Sequence, residues 1–269
     1  MKDSLRAAMP HPHSSHVARL IQLSDLHLFS DAERCLNGEN TRQRFTEVLQ
    51  RAKRYHRDDI PTVTVLSGDL AEDEQAKTYQ HLATMLADYP QPVLWIPGNH
   101  DNLQSMTSLL TSSPLIEDKQ ILIGNWNIIG LNSKQPKEKW GYLADTSLAM
   151  LRSQLQQHDN PTLLVLHHHV RPIDHDIDAI ALKNADAFLS LLSEFPQVKC
   201  VLSGHVHQAR AEQYHGIGFY TCPATAYQID PTVKKFKLDP QSAGFRLVDL
   251  WSCGNYRTEV IRCDNQKPL

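Results

Sequence analysis

The chain holds 269 residues, with 27 Lys and Arg against 30 Asp and Glu and a formal charge of −3 when histidine is neutral. That length suits one large α/β domain with a full core, and the near balance of charge excludes the strong electrostatic drive that polynucleotides and anionic lipids need. The 5 cysteines are scattered without close pairing, which excludes a zinc ribbon and fits free thiols.

Residues 1–16, with His11, His13 and His16 among Pro and Ser, are expected to form a flexible tail ahead of a single domain over 17–269. The start of the chain lacks the apolar core of a secretory signal, and no stretch approaches the roughly 20 apolar residues that span a bilayer. A cytoplasmic protein with no membrane partner is expected. The apolar run 18–23 predicts a first buried strand. Residues 41–55 follow with Phe45, Val48, Leu49 and Ala52 at helical spacing and Asn40 placed as N-cap. A strand over 62–66 comes next, then a helix within 74–87 carrying Tyr79, Leu82, Ala83 and Leu86, closed by Pro90, and a strand over 93–96. Beyond these lie a helix near 106–110, a strand pair at 121–123 and 126–131, a helix around 148–155 and a strand over 163–166. The irregular stretch 171–183, rich in Asp and His, is a candidate rim or lid loop. A helix around 185–192, a strand over 198–202 and antiparallel strands at 218–221, 244–250 and 258–261 complete the reading. This order predicts an α/β fold in which two mixed β-sheets pack face to face as a sandwich flanked by helices.

Several of these strands end in residues that bind metals. Asp25-Leu26-His27, Gly68-Asp69, Gly98-Asn99-His100-Asp101, His167-His168-His169 and Gly204-His205-Val206-His207 each follow an apolar run. In open α/β sheets ligands bind beyond the carboxyl ends of strands, so these side chains are expected to converge on one edge. Asp25 and His27, and likewise His205 and His207, lie two apart on what reads as extended backbone, which points each pair to one side. Any one of these segments alone reads as a turn or a core histidine. Together, carboxylate, amide and imidazole without cysteine predict a catalytic site for Fe, Mn or Zn rather than a structural zinc. Two neighbouring ions would share a carboxylate and clamp the attacking and leaving oxygens of a phosphoryl displacement.

The ordered set Asp-x-His, Gly-Asp, Gly-Asn-His-Asp, His-His and Gly-His-x-His resembles the calcineurin-like metallophosphoesterases over residues 21–207. Leu28-Phe29, Gly68-Asp69-Leu70-Ala71, Trp95-Ile96-Pro97 before Gly98, the triple histidine and Thr221-Cys222-Pro223-Ala224-Thr225 are most similar to the bacterial class III 3′,5′-cyclic AMP phosphodiesterases. The resemblance implies a catalytic domain with two divalent metal ions per chain, Fe or Mn ahead of Zn or Mg. It implies one ion on Asp25, His27, Asp69 and His207, and the other on Asp69, Asn99, His167 and His205, with Asp69 as bridge. His100 would be the non-ligand histidine that contacts phosphate and protonates the leaving oxygen. His27, Asp69, Asn99, His100 and His207 would surround a small cyclic nucleotide substrate, attacked by a hydroxide between the metals. The chain departs from the Ser/Thr protein phosphatases of that superfamily, which continue Gly-Asp with Arg-Gly and follow Asn-His with Glu. No basic stretch interleaved with aromatics suits a nuclease groove, so no nucleic-acid partner is expected. Hydrolysis of another small diester, a glycerophosphodiester or a different cyclic nucleotide, is the alternative, and a metal-free scaffold on the same fold a further one.

Overall fold

The computed structural model describes residues 15–263. In chain order the elements are β1 (His16–Leu23), β2 (Cys35–Leu36), β3 (Glu39–Asn40), α1 (Thr41–Lys53), β4 (Thr62–Ser67), α2 (Ala76–Leu86), β5 (Val93–Ile96), α3 (Leu103–Leu109) and β6 (Leu115–Ile116). The second half runs β7 (Gln120–Ile123), β8 (Trp126–Leu131), α4 (Asp145–Gln156), β9 (Thr162–Leu166), α5 (Ala185–Leu192), β10 (Val198–Ser203), β11 (Arg210–Tyr214), β12 (Ile217–Thr221), β13 (Gln228–Ile229), β14 (Leu238–Asp239), β15 (Gly244–Trp251) and β16 (Tyr256–Arg262). Of the expected tail, residues 1–14 lie outside the described residues. His16 already opens β1 opposite Trp251, on whose ring it stacks.

Two six-stranded sheets form, ordered β16-β15-β1-β4-β5-β6 and β11-β12-β10-β9-β8-β7. Within them β1, β4, β5 and β6 are mutually parallel, as are β8, β9, β10 and β12, while the outer strands β15, β16, β7 and β11 run antiparallel to their neighbours. The sandwich predicted from the sequence is therefore the fold, with the strands that carry the metal-binding segments divided between two sheets: β1, β4 and β5 in one, β9 and β10 in the other.

Both faces of each sheet are covered, and the central strands β4, β5, β8 and β9 are buried at every position. Leu20, Val63, Val65 and Leu94 of the first sheet meet Trp126, Ile128, Leu163 and Leu202 of the second in a core between the sheets. The outer face of the first packs through Ile21, Leu66 and Trp95 on Phe45 of α1 and Leu82 of α2, and that of the second through Leu164 and Val201 on Leu151 of α4 and Phe188 of α5. Asn40 caps α1, its side chain accepting from the Gln43 amide at 2.9 Å. The Arg246 guanidinium of β15 is buried and donates to the Thr221 and Arg210 carbonyls, tying the first sheet to the far edge of the second. Among the described residues no helix is long and apolar enough to cross a membrane.

Candidate metal centre

The carboxyl ends of β1, β4, β5, β9 and β10 meet at one rim of the sandwich, and the loops that leave them turn back at once. Asp25, His27, Asp69, His205 and His207 all adopt positive φ, from 45° to 71°. The extended reading of the two Asp-x-His and His-x-His pairs is thus corrected. The left-handed conformation, which Asp, Asn and His tolerate better than most residues, curls each loop inward, so that Asp25 and His27 join one group of donors while His205 and His207 divide between two. Close approach explains two glycines as well. A Cβ on Gly98 would fall inside the Asp69 carboxylate and amide, and Gly68, at φ +98°, passes directly beneath the His167 ring.

Asp69 stands at the centre. Its Oδ2 lies 3.2 Å from His167 Nε2 and 3.9 Å from His27 Nε2, and its Oδ1 accepts from the His100 amide at 2.9 Å. On one side Asp25, His27 and His207 place their donor atoms within 4.8 Å of one another, and on the other Asp69, His167 and His205 do the same. Asn99 Oδ1 joins the second group, 3.2 Å from His167 Nε2. The structure thus brings Asp25, His27, Asp69, Asn99, His167, His205 and His207 together at one rim.

The outer ring nitrogens are committed. Nδ1 donates from His27 to Glu72 Oε2 at 2.7 Å, from His167 to the Ser67 carbonyl at 2.8 Å and from His207 to the Tyr227 carbonyl at 2.9 Å. Each bond fixes the tautomer that turns a bare Nε2 inward. His27 Nε2 and His207 Nε2 consequently face each other at 3.0 Å, a repulsive arrangement of lone pairs that a cation between them relieves. His205 Nε2 is buried without a hydrogen-bond partner. Carboxylates, an amide oxygen and inward imidazoles with unsatisfied nitrogens fit two divalent cations, and the residues present could hold them.

Charge follows the same plan. Burial works to raise the Asp25 and Asp69 carboxyls, but the facing His207 and His167 rings outweigh it and hold both below the usual carboxylate range. Of the triple histidine only His167 faces Asp69. The His168 ring contacts Ser133 Oγ and the Lys139 carbonyl, and burial beside the other histidines pushes it down to about 3. His169 binds Asp178 at 3.0 Å and stacks on His205.

His100 stands slightly apart, its side chain 32% exposed and its Nδ1 bonded to Glu72 Oε2 at 3.0 Å. Burial opposes its charged form, yet the Glu72 hydrogen bond and the Asp69 charge carry it up to about 9. Glu72 thus ties His27 and His100 together, and sequence reading assigned it nothing. Tyr227, whose ring packs 4.5 Å from that of His207, was also missed. Asp101, the last residue of its motif, turns away from the rim and accepts from the amides of Leu70, Ala71 and Gly98, fastening the two loops that carry Asp69 and Asn99.

Residues 18–209 match the model of the calcineurin-like phosphoesterase family. The chain is 32% identical to a 3′,5′-cyclic-nucleotide phosphodiesterase of Nostoc sp. over 93% of its length and 94% of that protein, and 35% identical to the 3′,5′-cyclic adenosine monophosphate phosphodiesterase CpdA of Escherichia coli K12 over 91% and 89%. Its fold is similar to that of a dimetal phosphatase from Danio rerio, with a TM-score of 0.68 at 14% identity over 93% of this chain and 100% of the other. The chain belongs to the calcineurin-like phosphoesterase family.

Proposed function

We propose that this member of the calcineurin-like phosphoesterases hydrolyses 3′,5′-cyclic AMP to 5′-AMP at a site of two divalent cations, with Asp25, His27, Asp69 and His207 holding one and Asp69, Asn99, His167 and His205 the other. The observation that carries the reading is the Asp69 carboxylate between two groups of inward-facing histidines. The names of the relatives matched over nine-tenths of the chain support the substrate. Cytoplasmic residence and Fe or Mn as the bound pair belong to the same proposal, the metals because the donor set holds no thiolate. Bound there, the cations supply Lewis-acid activation of water and neutralise the phosphate oxygens.

The chain's own residues do the rest. Asp69, anchored by the His100 amide, sets the spacing of the two halves of the site. His100 reaches the rim with Nδ1 committed to Glu72, which leaves Nε2–H to donate. As water oxygen bonds to phosphorus and the bond from phosphorus to the 3′ oxygen breaks, that proton passes to the departing oxygen, and the proton the water sheds to solvent balances the one that His100 takes back from it. A cyclic diester carries one negative charge and needs no further Lys or Arg to be held.

Side-by-side turnover of cyclic AMP, cyclic GMP, a glycerophosphodiester and a phosphomonoester by metal-loaded protein tests the proposal. Cyclic AMP is expected to exceed the phosphomonoester and the glycerophosphodiester at least about tenfold in kcat/KM, roughly 1.4 kcal/mol of differential transition-state binding. Equal efficiency on the glycerophosphodiester would transfer the substrate assignment and leave the metal site standing.

A further inference from the structure

Beside the His27 and His207 side of the centre stands a small aromatic wall. The Tyr227 ring packs 4.5 Å from the His207 ring and 6.0 Å from that of His27. Edge-on to Tyr227 at 6.4 Å lies Phe236, which is 57% exposed. A single exposed phenylalanine is unremarkable in itself. What sets this one apart is its contact with Tyr227, itself packed on His207, and the way its segment is fixed.

Phe236 sits in the turn between β13 and β14, and that turn is fastened from several directions. The Asp230 amide donates to the Lys237 carbonyl at 2.8 Å, and Lys237 Nζ returns an ion pair to Asp230. Arg210 donates to the Pro231 carbonyl from β11. The Asp176 amide, in the candidate lid 171–183, donates to the Lys234 carbonyl at 2.8 Å, and Lys234 pairs with Asp174. A ring on so constrained a turn is presented to solvent by the fold, one aromatic side chain away from the metal-binding histidines.

We propose that Phe236 is a substrate-binding residue on which the purine base of the cyclic nucleotide stacks, with Tyr227 walling the path from the phosphate to the base. This rests on the reading of the chain as a cyclic nucleotide phosphodiesterase and adds where the base lies. The phosphate is fixed at the histidine clusters, and a nucleoside extending from it past Tyr227 brings its base to the Phe236 ring. Stacking on an aromatic ring is tolerant of base identity, because every base offers a π-face. Phe236 therefore supplies affinity for a purine and little choice between adenine and guanine.

The test compares wild type, Phe236→Ala and Phe236→Trp on cyclic AMP and on a base-free substrate, the six-membered cyclic phosphate of 1,3-propanediol. Phe236→Ala is expected to raise KM for cyclic AMP at least about fivefold with kcat little changed, the lower end of what one lost stacking contact costs. Its effect on the base-free diester is expected to stay within about twofold, and Phe236→Trp to keep the wild-type KM within about the same margin, since indole stacks as well as phenyl. An unchanged KM for cyclic AMP in Phe236→Ala, or an equal loss on both substrates, overturns the stacking role alone. Wild-type protein that hydrolyses the base-free diester but not cyclic AMP overturns the function from which the role follows.

Discussion

Replacing His100 by Ala isolates proton donation from metal binding. Only the backbone amide of His100 touches Asp69, at 2.9 Å, and an alanine keeps that bond. The lost side chain made one contact with a carboxylate, to Glu72, which keeps its 2.7 Å bond to His27. With the ring 32% exposed, that ion pair contributes about 1 kcal/mol of stability or less. The catalytic loss is far larger: one positioned general acid contributes about 10² to 10⁴ in rate, or roughly 3 to 5 kcal/mol of barrier. The assay that separates this from general damage varies the leaving group. A 3′ ribose oxygen departs poorly without a proton, whereas nitrophenolate departs unaided. His100→Ala should therefore lose about 10² or more on cyclic AMP and about tenfold or less on bis-p-nitrophenyl phosphate, with metal content equal to wild type. Equal losses on the two substrates would refute proton donation, and a lost ion would make His100 a ligand.

Asp69→Ala removes the carboxylate shared by both halves of the centre; metal analysis is expected to find most of the metal gone and activity nearly abolished, whereas Asn99→Ala should spare the ion on Asp25, His27 and His207. Gly98→Ala places a Cβ on the Asp69 carboxylate and amide, so it should cost about 1–3 kcal/mol in urea unfolding together with metal affinity, although it deletes no ligand. Burial works to raise the Asp178 carboxyl, but its bonds from His169 and the Ile173 and His175 amides outweigh it and lower it to about 2. A carboxylate depressed in the fold stabilises above its unfolded pKa and ceases to as pH falls through its folded one. Asp178→Asn should accordingly be less stable than wild type at neutral pH, and chemical denaturation should show the gap closing below about pH 4.

Much of the fold was legible because burial on both faces calls for β-branched and aliphatic residues with only small polar ones between them, as in β4 and β9, and because α1 announces itself with Asn40 and the spacing of Phe45, Val48 and Leu49. The division of the strands between two sheets was visible only as a mixed order of elements. β11 escaped notice because it is an edge strand with no fully buried residue. At the site, residue types disclosed the donors but not the backbone that aims them, since nothing in Asp-x-His distinguishes an extended pair from one curled through positive φ. Glu72 and Tyr227 were missed for a different reason. Each acts on a histidine distant in sequence, Glu72 on His27 and Tyr227 on His207, and a one-dimensional spacing carries no trace of such a bond.

The tie that Arg246 makes between the sheets bears on how far the motif-bearing segment could stand alone. The matched family region ends at residue 209, after the last histidine of the centre. A chain cut there would keep every proposed metal ligand. It would also leave β1, which carries Asp25 and His27, as a raw edge without β15, strip β12 from β10, and remove the guanidinium that spans the two. Unpaired apolar edges of that kind seek partners in other chains. The C-terminal strands contribute none of the proposed ligands, yet they cover the edges of the strands that do and so guard that half of the molecule against becoming a seed for aggregation.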